Sequence, residues 1–276
     1  MKLIKPSFQI IEPTGYAIDD IYKSIELAGR VSHKSEDKIT ETSAKDFVGR
    51  MLNMKHLATC EFGTVYLYID CHSPNFITIL NKYICNKYSE CIVDAEFPSG
   101  NAYISTNYRV LVENNWLDDL KYLREPTKYH HKRYTVKFIC DRAIANEFVR
   151  HRKFSFLQES TRYCRYSSDK FNSELTFIEP CWLTPDMKSN LTYLNYVDTL
   201  QKIEDTYITL TKNGWKAEEA RNVLPLSLKT ELYMCGFAED WEQFFKLRTA
   251  SNAHPQAKEL AIPLKEEFIK RGYINE

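Results

Sequence analysis

The segment from residue 141 to residue 170 constrains the fold more than any other part of this chain. Its sequence is DRAIANEFVRHRKFSFLQESTRYCRYSSDK, and from residue 142 onward it contains seven Lys or Arg residues against three Asp or Glu residues. The whole chain, by contrast, has a formal net charge of zero. Phenylalanine and leucine side chains alternate with the arginines and are expected to hold the guanidinium groups partly out of water, where they require an anion. The segment therefore predicts a local binding site for a phosphate-bearing ligand.

A single straight helix cannot present both Arg150 and Ser160 to one ligand. Ten residues correspond to about 280° of rotation at 3.6 residues per turn. We therefore expect a helix that has Asp141 as its N-cap, passes through Phe148 and delivers residues 150–152 at its C-terminal end. A turn must then fold the chain back.

Short runs rich in β-branched and aromatic residues predict β-strands at residues 64–69, 103–112 and 134–140. Residues 72–101 mix Pro, Gly and Asn with short apolar runs, and we expect them to be irregular. Strands and helices do not alternate regularly along the chain. The sequence therefore favours an α+β fold with a more helical C-terminal half over a doubly wound sheet.

Apolar residues three and four positions apart predict helices on both sides of these strands. The first helix is expected from Ala17 to Val31, and Ser43 followed by Asp46 resembles a capping box that starts the second. Further helices are expected at 114–126, 191–210, 216–224, 239–251 and 256–271, with Pro263 bending or breaking the last.

The composition argues against several classes of protein. Balanced totals of 37 basic and 37 acidic residues do not suit a nucleic-acid coat protein. Neither an apolar signal core near the start nor a stretch of about 18 apolar residues is visible, so we expect a cytoplasmic protein that neither enters a membrane nor is secreted. The eight cysteines include no pair with a two-residue spacer, which predicts scattered reduced thiols and no metal site.

The segment RHR at residues 150–152, followed by seven residues and Ser160, matches the RHR-x7-S signature, and with its continuation QESTRYCRYS the chain resembles the flavin-dependent thymidylate synthases. Three further segments agree with that family in order and approximate spacing. They are GRVSHKS at 29–35, His56 with Glu61 followed by GTVYL, and ARNVLPLSL at 220–228 followed by FFKLR at 244–248 and AHPQ at 253–256.

The resemblance implies a fold and a reaction. It implies one domain over residues 1–276, an antiparallel sheet packed with helices, and a variable elaboration at about 70–130. The implied reaction is reductive methylation of dUMP to dTMP, with 5,10-methylenetetrahydrofolate as carbon donor and FAD, reduced by NADPH, as hydride donor. It also implies a homotetramer whose sites are shared between subunits, without a nucleic-acid or membrane partner.

The resemblance also assigns roles to individual residues. Contacts to dUMP are expected from Glu147, Arg150, Gln158, Glu159, Ser160, Thr161, Arg162, Arg221 and Arg248. Contacts to FAD are expected from His56, Ala58, Arg150, His151, Arg152, Gln158 and Gln243. Arg248 is the expected catalytic residue, because a fixed cation beside the uracil edge stabilises its N3-deprotonated form.

Several positions depart from the family pattern. Some relatives have glutamate at the position of Gln158, where this chain has Glu159 as the neighbour, and either residue can take that role. Relatives use asparagines near the positions of Phe237 and Gln243 to contact the flavin; Gln243 keeps an amide, whereas Phe237 offers its backbone. Ala58 stands where some members have a hydroxyl residue.

An enzyme nucleophile is not expected. Serine requires a general base, and the guanidinium groups around Ser160 cannot accept a proton at neutral pH, so we interpret this residue as a hydrogen-bonding ligand. The cysteines lack a recognisable neighbouring base as well. His151 is expected to be neutral beside arginines, and to contact or position the flavin.

Other interpretations of the 142–170 segment remain. The arginines can form ordinary ion pairs on a solvated face. They can also belong to a non-catalytic RNA or single-stranded nucleic-acid binder, with Phe154, Phe156, Tyr163 and Tyr166 as stacking platforms. Such a binder would be colourless and would lose affinity steeply with salt. A flavin reductase would oxidise NADPH without needing dUMP.

Overall fold

Three β-sheets with helices packed around them make up the protein. The computed structural model describes residues 1–95 and 100–275. Within them the strands are β1 (Lys2–Ile4), β2 (Ser7–Ile11), β3 (Thr64–Ile69), β4 (Glu90–Val93), β5 (Ala102–Asn107), β6 (Arg133–Asp141), β7 (Ser155–Gln158), β8 (Thr176–Ile178) and β9 (Lys229–Phe237). The α-helices are α1 (Ile18–Gly29), α2 (Ser43–Asn53), α3 (Phe76–Ile84), α4 (Tyr108–Glu113), α5 (Arg142–Phe148), α6 (Leu191–Lys212), α7 (Ala217–Ala220), α8 (Ala238–Arg248) and α9 (Pro255–Lys270).

The main sheet has four antiparallel strands in the order β2-β6-β9-β7. Its longest pairing joins β6 to β9, so that Arg133 lies opposite Phe237 and Asp141 opposite Lys229. Every second residue of β6, including Phe138, points into one apolar core, as the pleat of a strand requires. Helices α5, α8 and α9 line the same core together with Phe154 and with Leu232 and Met234 of β9, and this packing places α5 and the end of α8 close to each other.

A second sheet, in the order β3-β5-β4, is also antiparallel. Residues of α1, α2, α3 and α4 pack with it in a separate apolar cluster. Strands β1 and β8 form a short parallel pair. The protein therefore mixes α and β structure, as the sequence predicts, and its two larger sheets are antiparallel, as the family resemblance implies.

Several local predictions are confirmed. Strands β3 and β6 match the strands expected at 64–69 and 134–140, and α1, α6 and α8 match the expected helices. The expected helix at 216–224 forms as α7 followed by a 3-10 turn, Arg221–Val223. Helix α9 is continuous through Pro263, so of the two effects expected there, a bend or a break, the break is excluded.

The prediction that residues 72–101 are irregular is wrong for two parts of the segment, Phe76–Ile84 and Glu90–Val93. Helix α3 forms because Phe76, Ile79, Leu80 and Tyr83 have helical spacing and are buried together. Strand β4 then pairs with β5. Residues 96–99 of the predicted irregular segment lie outside the described residues.

The strand expected at 103–112 ends halfway. The side chain of Asn107 accepts a hydrogen bond from the backbone N–H of Val110 (3.2 Å) and caps α4, which competes with continued pairing. The helix expected at 114–126 is a 3-10 helix, Leu117–Tyr122, rather than an α-helix.

Strands β7 and β9 were not predicted.

The expected capping box at Ser43 is also wrong. The helix begins at Ser43 itself, with Thr42 as N-cap. The hydroxyl of Ser43 instead donates to the carboxylate of Glu26 (2.8 Å), so it links α2 to α1.

The cysteines are free thiols in the structure, four of them buried. In residues 1–95 and 100–275 we find no helix with the length and apolar character needed to cross a lipid bilayer.

Candidate functional site

Helix α5 and the turn after it carry the central motif. Asp141 is the N-cap, as predicted: its Oδ1 accepts from the backbone N–H of Ile144 (2.7 Å), while its Oδ2 accepts from Nε2 of Gln256 (2.7 Å). At the other end Phe148 is fully buried against Phe138 and Phe244, with ring centroids 5.0 Å apart in both pairs. The helix is thus fixed at both ends, and residues 150–152 follow it before the chain reverses into β7.

Arg248, at the end of α8, is bound to the end of α5. Its Nη1 donates to Oε2 of Glu147 (2.6 Å), its Nη2 donates to the backbone carbonyl of Glu147 (2.6 Å), and its Nε donates to Nε2 of His151 (3.0 Å). The Arg248 side chain is 17% exposed. The structure therefore brings together three residues that the sequence analysis assigned to the site.

The environment of His151 keeps its ring neutral. Burial and the neighbouring Arg248 cation lower the pKa of His151 to about 4. Since its Nε2 accepts the hydrogen bond from Arg248, that nitrogen carries no proton in this arrangement. His151 accordingly orients Arg248 without adding a second charge.

The predicted binding loop at 158–162 is anchored by hydrogen bonds to Tyr166 and to the first residues of β9. The carboxylate of Glu159 is buried, and it accepts hydrogen bonds from the hydroxyl of Tyr166 (2.7 Å) and from Nζ of Lys229 (2.8 Å). Gln158 donates to Oγ1 of Thr230 (3.1 Å). Both oxygens of Glu159 are thus used within the chain, whereas Gln158 is only half buried.

The backbone of Ser160 donates to the carbonyl of Ser32 (3.2 Å), and its Oγ accepts from the backbone N–H of Arg162 (3.2 Å). Thr161 is buried. The segment matched earlier at 29–35 therefore supports the loop directly.

Three lysines surround Glu231 and connect the segment after α1 with β6 and β9; this cluster was not predicted from the sequence. Glu231 contacts Nζ of Lys34 (2.8 Å), Lys229 (2.7 Å) and Lys137 (2.7 Å). Burial opposes ionisation of Glu231, but the three cations outweigh it and lower its pKa to about 2. A signal was present, because Lys137 lies between the apolar residues Val136 and Phe138, and Glu231 directly precedes the apolar run LYMCGF, so both charges require partners.

Two cations near the 158–162 loop, Arg162 and Arg221, are exposed. Arg162 lies 3.8 Å from the carboxylate of Glu218 on α7, and Arg221 is exposed immediately after that helix. Tyr163 stacks on His33 with centroids 4.2 Å apart. Burial, then the nearby His56, lower the pKa of His33, so His56 lies on this side as well.

The predicted site residues thus fall into two groups. The α5 group, as we call it, contains Glu147, Arg150, His151 and Arg248; the loop group contains Gln158, Glu159, Ser160, Thr161, Arg162 and Arg221. Within residues 1–95 and 100–275, neither a hydrogen bond nor an ion pair joins the two groups. Arg152, Ala58 and Gln243 are exposed and belong to neither by contact.

A cavity of about 350 Å³ lies beside the main sheet. Arg152 and Phe237, two positions considered for the flavin, line it together with Gly236. Arg150 and Arg248 are not among its lining residues.

A large part of the chain is similar to one protein family. The family model "Thymidylate synthase complementing protein" matches residues 94–271. The flavin-dependent thymidylate synthase of Pyrococcus furiosus is 30% identical over 135 residues, covering 49% of this chain and 53% of that protein. The enzyme of the same name from Synechocystis sp. is 28% identical over 141 residues, with 49% and 66% covered. A probable flavin-dependent thymidylate synthase of Paramecium bursaria Chlorella virus 1 is 29% identical over 152 residues, with the same coverage. The chain spans about half to two thirds of the length of these curated relatives.

Proposed function

The chain belongs to the thymidylate synthase complementing protein family, and from this premise we propose that it is a flavin-dependent thymidylate synthase. The reaction is the reductive methylation of dUMP to dTMP. Methylenetetrahydrofolate is the carbon donor, and FAD reduced by NADPH supplies the hydride when bound. Relatives from separate organisms are named for this activity.

The fixed guanidinium of Arg248 is the observation that carries the proposal. Three of its five N–H groups bond to Glu147 and His151, and among the described residues the other two have no hydrogen-bond acceptor. We assign these two N–H groups to the uracil edge, where negative charge develops. Because Glu147 and His151 already hold the cation in place, little reorganisation is needed during reaction.

The remaining proposed roles follow from position and charge. Arg162, Arg221 and the Ser160 hydroxyl would bind the phosphate of dUMP, since guanidinium forks match phosphate oxygens. Glu159 would hold the loop through Lys229 and Tyr166, so Gln158 is the better candidate for direct contact. No step requires Ser160 as a nucleophile.

The chemistry of the cavity fits part of a flavin dinucleotide. It offers the Arg152 cation for phosphate and the Phe237 ring for a flat ring system. His151, which follows α5 two residues before Lys153 in the cavity wall, would reach the same cofactor. These residues would bind and orient FAD.

The assembly remains a prediction. We propose a site shared between subunits, to which each subunit contributes one group; the lack of hydrogen bonds and ion pairs between the α5 group and the loop group within residues 1–95 and 100–275 agrees with this arrangement. From the family resemblance we also propose one domain over residues 1–276, an elaboration at about 70–130 and a homotetramer. A cytoplasmic location is proposed from the sequence.

The nucleic-acid alternative is less well supported. Phe154 and Tyr166, two of its four expected stacking platforms, are 7% and 5% exposed, so they present little ring surface to a base. Tyr163 is exposed but already stacks on His33. Binding to single-stranded RNA that falls steeply with salt would favour this alternative.

The test is dTMP formation from dUMP with and without FAD, in the wild type and in Arg248→Ala. We expect FAD-dependent turnover and a loss of about 10²–10³ in kcat for the variant, typical of removing one electrostatic stabiliser. Arg124→Ala, which removes an exposed arginine outside both groups, is the control. Undiminished turnover in Arg248→Ala would remove this residue from the mechanism, and turnover without any flavin would exclude the proposed reaction.

A further inference from the structure

The 350 Å³ cavity has a second wall that the family resemblance does not account for. One wall comes from the main sheet and the turn before it, and includes Arg152 and Phe237. The opposite wall comes from the 70–130 segment, which the sequence analysis treats as a variable elaboration, and includes Lys87, Tyr88 and Arg109. A volume of this size is within the range of ligand pockets.

The cations of the two walls differ in how they are neutralised. Arg109 is paired with Glu61 (2.5 Å) and Glu113 (2.8 Å). Lys87, Arg133 and Arg152 also line the cavity but have no ion pair among the described residues, and the lining carboxylate that likewise has none is Glu90. The cavity therefore has an excess of uncompensated positive charge, contributed by both walls, which suits an anion.

Aromatic rings also approach the cavity from both walls. Tyr88 is 50% exposed, and Lys87 lies 4.8 Å from its ring centroid. On the other wall Phe237 is held by Arg133, whose guanidinium carbon is 5.6 Å from its ring centroid. Tyr88 is exposed and Phe237 is half-buried, and aromatic rings combined with cations in this way suit a flat heteroaromatic ring that carries phosphate.

The turn that carries Tyr88 is held by local contacts. The backbone N–H of Tyr88 donates to Oδ1 of Asn86 (2.9 Å), and the hydroxyl of Ser89 is hydrogen-bonded to that of Thr106 on β5 (2.8 Å). The ring is therefore presented from an ordered turn, which lowers the entropic cost of binding.

We propose that Tyr88 stacks on a flat ring system of the flavin dinucleotide and that Lys87 pairs with its phosphates, so that the 70–130 segment completes the cofactor site. This inference rests on the proposed function and extends it to residues of this chain that the resemblance left without a role. The contacts of Tyr88 and Lys87 would compensate for the polar family contacts that Phe237 and Ala58 do not provide.

The test is the dissociation constant for FAD, measured by titration with the purified full-length protein. We expect Tyr88→Ala to weaken FAD binding about tenfold, the loss of about one stacking contact. Tyr88→Phe should bind like the wild type, because the proposal uses the ring and not the hydroxyl. Lys87→Met should weaken FAD binding at low salt. The difference in dissociation constant between this variant and the wild type should become smaller at high salt, because salt screens the attraction between Lys87 and the phosphates.

Ile84→Ala is the matched control, since Ile84 is 58% exposed, lies in the same segment and does not line the cavity. Parallel titrations with ADP separate the two rings: an equal loss for ADP in Tyr88→Ala assigns the contact to adenine, and unchanged ADP binding assigns it to the isoalloxazine ring. FAD binding by Tyr88→Ala within about twofold of the control would overturn the inference and leave the proposed function intact. A wild-type protein that binds no FAD would overturn both.

Discussion

Replacing Glu231 by glutamine should remove a defined, pH-dependent part of the folding free energy. The carboxylate is ion-paired with Lys34, Lys137 and Lys229, at distances of 2.7 to 2.8 Å. In the variant Lys34 keeps its pair with Glu36 and Lys229 keeps Glu159, whereas Lys137 loses the one ion pair that the described residues give it. The cost at neutral pH should therefore lie near the lower end of that for breaking a buried ion pair, about 3 kcal/mol.

The pH dependence has a definite sign. The pKa of Glu231 is about 2 in the folded protein and 4.5 as the ordinary value. A carboxyl whose pKa is lower in the folded state adds stability that is complete above pH 4.5 and is lost as the pH falls toward 2. At about 1.4 kcal/mol per pH unit the group contributes about 3 kcal/mol, in agreement with the pairing argument.

Urea unfolding followed by circular dichroism, at fixed protein concentration, measures both quantities. The difference in unfolding free energy between wild type and Glu231→Gln should be about 3 kcal/mol near neutral pH and should shrink steadily below about pH 4.5. Glu267→Gln, which removes a surface partner of Arg271, should leave the curve close to that of the wild type. If the unfolding free energies of wild type and Glu231→Gln instead differ by the same amount at every pH, the assigned ion pairs of Glu231 are refuted.

Two shorter predictions concern α5. Arg248→Met should raise the pKa of His151 from about 4 toward, but not beyond, its ordinary value, because burial remains; titration of the ring by NMR checks this, and an unchanged pKa would contradict the contact. Asp141→Ala should destabilise the protein by about 1–2 kcal/mol, because the N-cap of α5 is lost. Asp141→Asn should destabilise it less, because the amide oxygen can still accept the capping hydrogen bond. Equal losses of unfolding free energy in the two variants, measured by urea unfolding, would contradict capping as the cause.

The parts of the fold that the sequence could predict are those set by local chemistry. Helix α5 was predictable because Asp141 caps it through a residue only three positions away. Strand β9, in contrast, was missed although it lies in the interior of the main sheet. Its Glu231 suggests a strand exposed to solvent, because the ion-pair partner Lys34 lies 197 residues earlier in the sequence.

The site shows the same division. The resemblance named Glu147, His151 and Arg248, but their hydrogen bonds join residues about a hundred positions apart and depend on α8 packing against α5. The proposed role of Tyr88 could not be inferred from the sequence, because it depends on Arg152 and Phe237, which are distant along the chain but line the same cavity. Local patterns did not reveal that β4 and its preceding turn face the main sheet.

The division of the site between two groups leads to a test by subunit mixing. The groups lie at opposite ends of β7, a strand of four residues that spans ~13 Å at 3.3 Å per residue. Arg248→Ala impairs the α5 group and Arg162→Ala the loop group, so each variant alone should be nearly inactive. If a site takes its groups from different subunits, mixed oligomers formed by co-expression contain some intact sites, and equal random mixing should restore about a quarter of the wild-type dTMP formation. If instead both groups serve one site within a chain, every site in the mixture carries a defect, and mixing restores nothing.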